Sequence, residues 1–290
     1  MKRPRHRTPL ARAGRVALYA AIAALAVVTL LPFIWMACAA VKTDADFYTS
    51  QFLPPGDGFL GIAWDRLSFR QFQRLFTEFP VGRAMFNSVF LASVVSVLAT
   101  LCCAAGGYAL AKFQFRGCGL LTTAIVGTVV LPASLLLSPG FETLYHLGLV
   151  DTYAGVILPA IAPAFGLYLF RQAMLNSVPD DILESARIDG AGEVRIFFQI
   201  VVPIVRPMIS AYLIIVFIAT WNNFITPQII LQSPERHPLS VAIFGLKGLY
   251  GGEYNLIMAG TLVSIAPVMI LFLLLQKEFI SGLTSGAVKG

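Results

Sequence analysis

ESARIDGAGEVRIFFQIVVPIVRP, Glu184–Pro207, is the stretch on which the reading turns. It is a polar island between two long apolar runs. Around it, residues 171–206 carry Arg171, Asp180, Asp181, Glu184, Arg187, Asp189, Glu193, Arg195 and Arg206. Those nine are a quarter of all the Lys, Arg, Asp and Glu in a chain of 290 residues. A chain that gathers its charge in one internal loop is presenting that loop to a soluble partner.

Outward from the island the sequence is apolar. Hydrophobic residues make up 57% and charged residues 12%, about half the roughly 25% charged of a soluble domain. Six stretches lack Asp, Glu, Lys and Arg, at about 16–41, 84–111, 117–141, 152–170, 207–232 and 254–276. Each reaches the roughly 20 residues that cross a bilayer as a helix, the fourth being the shortest. They must be helical, because backbone exposed to lipid has to satisfy its own hydrogen bonds. The sequence therefore predicts an all-α polytopic membrane protein with six transmembrane helices. A basic N-terminal segment, 1–15, precedes one six-span domain, 16–290, that contains the loop 171–206.

Orientation follows from the basic residues. Six Lys or Arg precede the first span, which keeps the N-terminus in the cytoplasm. Six crossings then leave 112–116, the island and the C-terminal tail on the same side. Those inside segments hold fourteen Lys and Arg against seven outside, so both termini are expected in the cytoplasm. The first apolar run, with Ala37-Cys38-Ala39-Ala40 at its end, imitates a signal peptide. It exceeds the about 7–15 residues of a typical signal core and is read as a retained anchor.

What is missing narrows the chemistry. Cys38, Cys102, Cys103 and Cys118 have no ligand spacing and read as small buried side chains. His6, His146 and His237 stand apart, so no metal site is expected. The spans hold no acid, base or histidine of the kind that relays charge in pumps. No GxxxxGK[ST] loop is present, so the chain has no phosphate cradle for a nucleotide. The sequence offers a path through the membrane, and the engine belongs on another subunit. Pro32, Pro132, Pro139, Pro159, Pro163, Pro227 and Pro267 lie in or at the ends of spans, with Gly106, Gly107 and Gly166. They serve packing and span-end geometry, or bend helices around a gated cavity.

Inside the island the spacing predicts two short helices. Ser177 is read as the N-cap of the first, with Pro179 in its first turn. Asp180, Asp181 and Glu184 crowd the positive end of its dipole. Ile182, Leu183 and Ala186 make an apolar stripe, and Asp189-Gly190 ends the helix. Gly192 allows a second start at Glu193, and Pro203 stops the second helix.

These residues resemble the cytoplasmic loop of binding-protein-dependent ABC importer permeases. That signature has Glu-Ala-Ala, three residues, Gly, nine residues, then Ile-x-Leu-Pro. Here Glu184-Ser185-Ala186 precedes Gly190, and Ile200-Val201-Val202-Pro203 follows at the same distance, with Ser185 and Val202 as departures. Asn87-Ser88, GYALAKFQFRG at 107–117, GLVDTYAGVILP at 148–159, WNNFITP at 221–227 and QKEFISGLTSGAVKG at 276–290 are similar to the carbohydrate branch, the maltose-type second permease above all.

The resemblance implies a permease subunit, not an enzyme, in the bacterial inner membrane. It implies a second permease, an ATPase dimer that binds the ATP, and an extracytoplasmic solute-binding protein as partners, with lipid around them. No cofactor on this chain and no nucleic-acid partner are expected. Glu184, Ala186, Asp189 and Gly190 would dock on the ATPase: Glu184 offers a carboxylate, Ala186 permits close approach, and Gly190 makes the turn. Trp221, Asn222 and Asn223 put an indole and two amides in the fifth span, suited to a sugar path or to hydrogen bonds between helices. Trp64, Phe69, Phe72, Phe76 and Phe79 in the outside loop would meet the binding protein or form an interfacial aromatic belt. The rival readings are the same architecture moving glycerol phosphate or a polyamine, a non-transporting membrane anchor, and an integral-membrane enzyme. The last has no nucleophile, acid pair or metal cluster in its favour.

Overall fold

A computed structural model describes residues 9–249 and 253–287 of the chain. Apart from an isolated bridge between Pro55 and Ile62, the regular structure among these residues is helical. Three helices are each long and apolar enough to cross a membrane: Gly14–Val41, Val81–Lys112 and Tyr254–Leu274, with mean hydropathies of 2.4, 2.2 and 2.4. Three further pairs qualify only as bent pairs, which gives up to six passes when each pair counts as one.

The chain divides into two compact units. The first comprises the residues up to Phe79 and Leu246–Val263. Its helix α1, Pro9–Val41, runs into Lys42, whose buried Nζ donates to the Ser50 carbonyl at 2.7 Å. Helix α2, Asp44–Thr49, is capped by Thr43 and buries Asp46, which pairs with Arg66. In α3, Arg70–Thr77, Arg74 pairs with Glu253 at 2.8 Å and with Glu78 at 3.0 Å. Asp46–Arg66 and Arg74–Glu78 pair within the expected outside loop, and Arg74 also ties it to Glu253. Trp64, Phe69 and Phe76 stay exposed on it, and Phe72 and Phe79 are half-buried.

The second unit, Pro80–Gly245 with the residues from Ser264 onward, is built around α4, Val81–Lys112. Its buried face repeats every three or four residues, from Val81 and Ala84 through Leu91, Val95, Ala99 and Cys103 to Tyr108. That face packs on two later helices. Gly107 lets a backbone approach that no side chain would allow: a Cβ there would lie 2.6 Å from the Cβ of Phe170. Gly166 is as tight, with Tyr212 Oη and Cys103 Sγ where its Cβ would stand. Small residues at such crossings are how membrane helices gain contact.

After a left-handed turn at Gly117 (φ 91°) comes α5, Cys118–Val129. The stretch 117–141, expected as one span, is instead broken. Pro132 takes extended backbone (φ −60°, ψ 126°), and α6, Leu137–His146, follows at a 102° bend. The bent pair at the expected fourth span runs past its charge-free stretch. α7, Tyr153–Ala160, and α8, Ala164–Ser177, meet at 40° across Pro163, and α8 continues through Arg171 to Ser177. The island then forms α9, Asp180–Ile188, and α10, Glu193–Ile196. A π turn, Phe197–Val201, leads into α11, Val202–Ile204.

An 83° bend at Val205 opens α12, Arg206–Trp221, and α13, Ile225–Ile230, follows as a separate short helix. Stretch 207–232 is thus also broken, at Asn222-Asn223. α14, Leu239–Leu249, and α15, Tyr254–Ala287 with Pro267 inside it, complete the order. The C-terminal motif beyond Ala287 lies outside the described residues.

Two local expectations are corrected. Ser177 is the last residue of α8 rather than an N-cap, because Pro179 holds Val178 extended and α9 starts only at Asp180. The second island helix does not stop at Pro203. Proline removes one N–H and crowds the carbonyl four residues back. The π turn widens the helix ahead of it, with the Val202 N–H reaching the Phe197 carbonyl, and the chain continues to Ile204.

Candidate docking site

Helix α9 begins with Asp180 and Asp181 at the positive end of its dipole. It ends in a Schellman motif: the Gly190 N–H bonds the Arg187 carbonyl at 3.0 Å and the Ala191 N–H bonds that of Ala186 at 2.9 Å. Gly190 sits at φ 81°, where a side chain costs about 1–2 kcal/mol. The expected turn at Gly190 is therefore present.

The loop is mounted firmly. Leu183, Ile196, Phe197, Val201 and Val205 are buried in one cluster with Cys103, Ala104 and Tyr108 of α4, Phe170 and Met174 of α8, and Tyr212 of α12. Ala186 packs against that cluster from its edge. The expected stripe is only partly right, since Ile182 faces outward and is exposed.

Polar grips reinforce the packing. Tyr108 Oη donates to Glu193 at 2.8 Å, and Arg187 Nε donates to the other oxygen of the same carboxylate at 2.6 Å. Lys112, with its side chain nearly buried, donates to the Val178 carbonyl and to Asp180, both at 2.7 Å. Arg171 Nε donates to the Leu110 carbonyl at 3.2 Å. Sequence reasoning missed these grips. Their signal was only that Tyr108 and Lys112 lie in the GYALAK segment.

The opposite side of α9 is bare. The side chains of Asp181, Glu184 and Asp189 make no ion pair or hydrogen bond with another described side chain, and Ile188 is 86% exposed. Val194, at 74%, extends the same apolar element beyond the turn. An acidic and aliphatic face held on a rigid base suits docking to a protein. It holds no nucleophile–base pair, and no metal-binding group of three or more acids, histidines or cysteines occurs among the described residues.

Trp221, Asn222 and Asn223 lie elsewhere, Trp221 as the last residue of α12 and the two asparagines in the break before α13. Trp221 is buried and donates to the Ser264 carbonyl at 3.2 Å. Asn222 is exposed and bonds back to the Ile218 carbonyl at 3.0 Å. Asn223 accepts from the Thr226 N–H at 3.4 Å and starts α13.

A second polar cluster, also unforeseen, surrounds Asp151. This residue holds left-handed backbone (φ 57°), which aspartate tolerates better than most. Its carboxylate accepts from the Ser233 hydroxyl, the N–H groups of Ser233 and Gln232 at 2.9 Å, and Arg236 at 2.6 Å. Those bonds, the Ser233 hydroxyl first, lower its pKa from 3.8 to about 2. At the start of α4, buried Asn87 donates to the carbonyls of Glu235 and His237 at 2.9 and 3.0 Å and accepts from Tyr153 Oη at 2.8 Å. Ser88 Oγ accepts from the Leu239 N–H at 2.8 Å.

Comparison with known proteins fits this architecture. Residues 21–278 match the family described as binding-protein-dependent transport system inner membrane component. The arabinooligosaccharides transport system permease protein AraQ of Halalkalibacterium halodurans is 37% identical over 77% of this chain and 80% of its own. The lactose transport system permease protein LacG of Rhizobium radiobacter is 31% identical over 93% of this chain and 95% of its own. The crystal structure of a bacterial ABC transporter involved in alginate import shares the fold, with a TM-score of 0.78 at 21% identity over 94% of this chain and 98% of that one. A match over most of the length, on a helical chain with membrane-length apolar helices, makes this protein a member of the binding-protein-dependent transport system inner membrane component family, and so a transport subunit rather than an enzyme.

Proposed function

We propose that this chain is one of two permease subunits of an ATP-driven importer for a sugar or oligosaccharide in the bacterial inner membrane. Both termini face the cytoplasm. An extracytoplasmic binding protein delivers the solute, and α9 with the turn at Gly190 docks on an ATPase dimer, which binds the ATP. The chain itself carries no cofactor. The observation that carries the docking reading is the contrast within α9: one side is locked into α4, α8 and α12, while Glu184, Asp189 and Ile188 are left bare. The sugar reading is supported by the oligosaccharide and lactose transporters among its relatives. The exposed Asn222 is the candidate among Trp221, Asn222 and Asn223 for contact with cargo.

Co-purification of the tagged chain in mild detergent tests the assembly: a second permease and an ATPase should come with it. Gly190→Asp should leave insertion intact and separate ATP hydrolysis from uptake. Normal uptake by that variant sinks the docking assignment. For the cargo, the cognate binding protein should bind an oligosaccharide; binding of glycerol phosphate or a polyamine in its place would overturn the sugar reading.

A further inference from the structure

Among the described helices of membrane length, α4 alone has neither a proline nor a break. α1 contains Pro32, α15 contains Pro267, and the other passes are bent pairs. The two helices joined directly to the docking loop belong to bent pairs. α8 meets α7 at 40°, and α12 leaves the loop at 83° and ends at Trp221.

α4 is gripped at both ends. Tyr108 and Lys112 hold Glu193, Val178 and Asp180 of the loop. Twenty-one residues away, about 32 Å at 1.5 Å per residue, Asn87 and Ser88 hold Glu235, His237 and Leu239. Asn87 spends both of its N–H bonds on that segment, and its carbonyl is taken by Tyr153. Between its two grips the helix has a glycine pair, Gly106-Gly107, as its one soft point. There the backbone lies against α8, with room for no side chain at Gly107.

We propose that α4 is the lever that carries movement of the docking loop to the 231–239 segment at the helix's far end, with Tyr108 and Asn87 as the positioning residues. The proposal rests on the reading of α9 as the ATPase-docking helix. It claims coupling rather than proximity, so the test must read one end while the other is driven.

The test is hydrogen exchange on the whole transporter, with and without a non-hydrolysable ATP analogue, alongside uptake per ATP hydrolysed. In the native complex the analogue should change amide exchange at both 178–193 and 231–239. Tyr108→Phe removes one hydroxyl. It should keep the response at 178–193, lose it at 231–239, and lower sugar uptake per ATP at least about five-fold. Asn87→Ala should do the same from the far end, and the double variant should be no worse than either single one. Glu193→Ala breaks the Tyr108 link from the loop side and stands in if the tyrosine variant does not assemble. A full response at 231–239 in Tyr108→Phe, or a native response confined to 178–193, overturns the lever. Failure of the ATPase to co-purify with the native chain is a different result and removes the docking reading itself.

Discussion

The proposed docking loop and the Asp151 cluster are both polar, both sit at an end of α4, and use their charge in opposite ways. Asp151 is saturated: a hydroxyl, two N–H groups and a guanidinium all converge on it. On α9 the grips are spent on Asp180 and Glu193, and Asp181, Glu184 and Asp189 are left without side-chain partners. Charge density alone would rank the island first and overlook the cluster. The distribution of partners says what each is for. Satisfied charge fixes backbone in place, and unsatisfied charge on α9 is what the proposed docking requires.

The sharpest way to break this contrast is Asp151→Ala. It strips the Gln232 and Ser233 N–H groups and Arg236 of their acceptor, and should lower the melting temperature of the purified complex by several degrees, the largest fall of the substitutions considered. A smaller loss follows from Lys112→Met, which leaves the Val178 carbonyl and Asp180 unpaired. The cost should be about 1–3 kcal/mol, seen as faster hydrogen exchange across 178–190.

Acid tests the Asp151 cluster next. Folding lowers the Asp151 pKa, so its contribution is fully present above about 3.8 and is lost as the pH falls toward about 2. Melting curves should therefore show the Asp151 cluster unaffected between pH 5 and 8, by the same rule, and weakening only below pH 4. The smallest stability effect belongs to Glu184→Gln, within about 0.5 kcal/mol of the native protein. Its effect should appear instead as weaker recovery of the ATPase. A stability loss as large as that of Asp151→Ala would erase the distinction between the regions.

Much of this was legible because it is local. Charge-free runs located the membrane helices, and the Gly190 turn could be read because glycine at a helix end has one common use. The breaks were harder. Pro132 and Pro163 were visible, but whether a proline kinks a helix or ends it depends on what packs beside it. Pro203 looked like a stop, and the chain accommodated it with a π turn. The grips were invisible, because Tyr108 and Glu193 are 85 residues apart and Asp151 and Arg236 are also 85 apart. No periodicity links such pairs. The break at Asn222-Asn223 was also hidden, because composition does not say where a helix ends.

The π turn at Phe197–Val201 also fixes a rotational phase. Phe197, Val201 and Val205 all face the core, and one residue more than an α-helix would use lies within that turn. Deleting the exposed Gln199 would return the segment to α-helical winding and rotate one flank against the other by about 100°. Either α9 or α12 would then point the wrong way, with every side chain of both still present. A single backbone unit sets the angle at which α9 and α12 are clocked together.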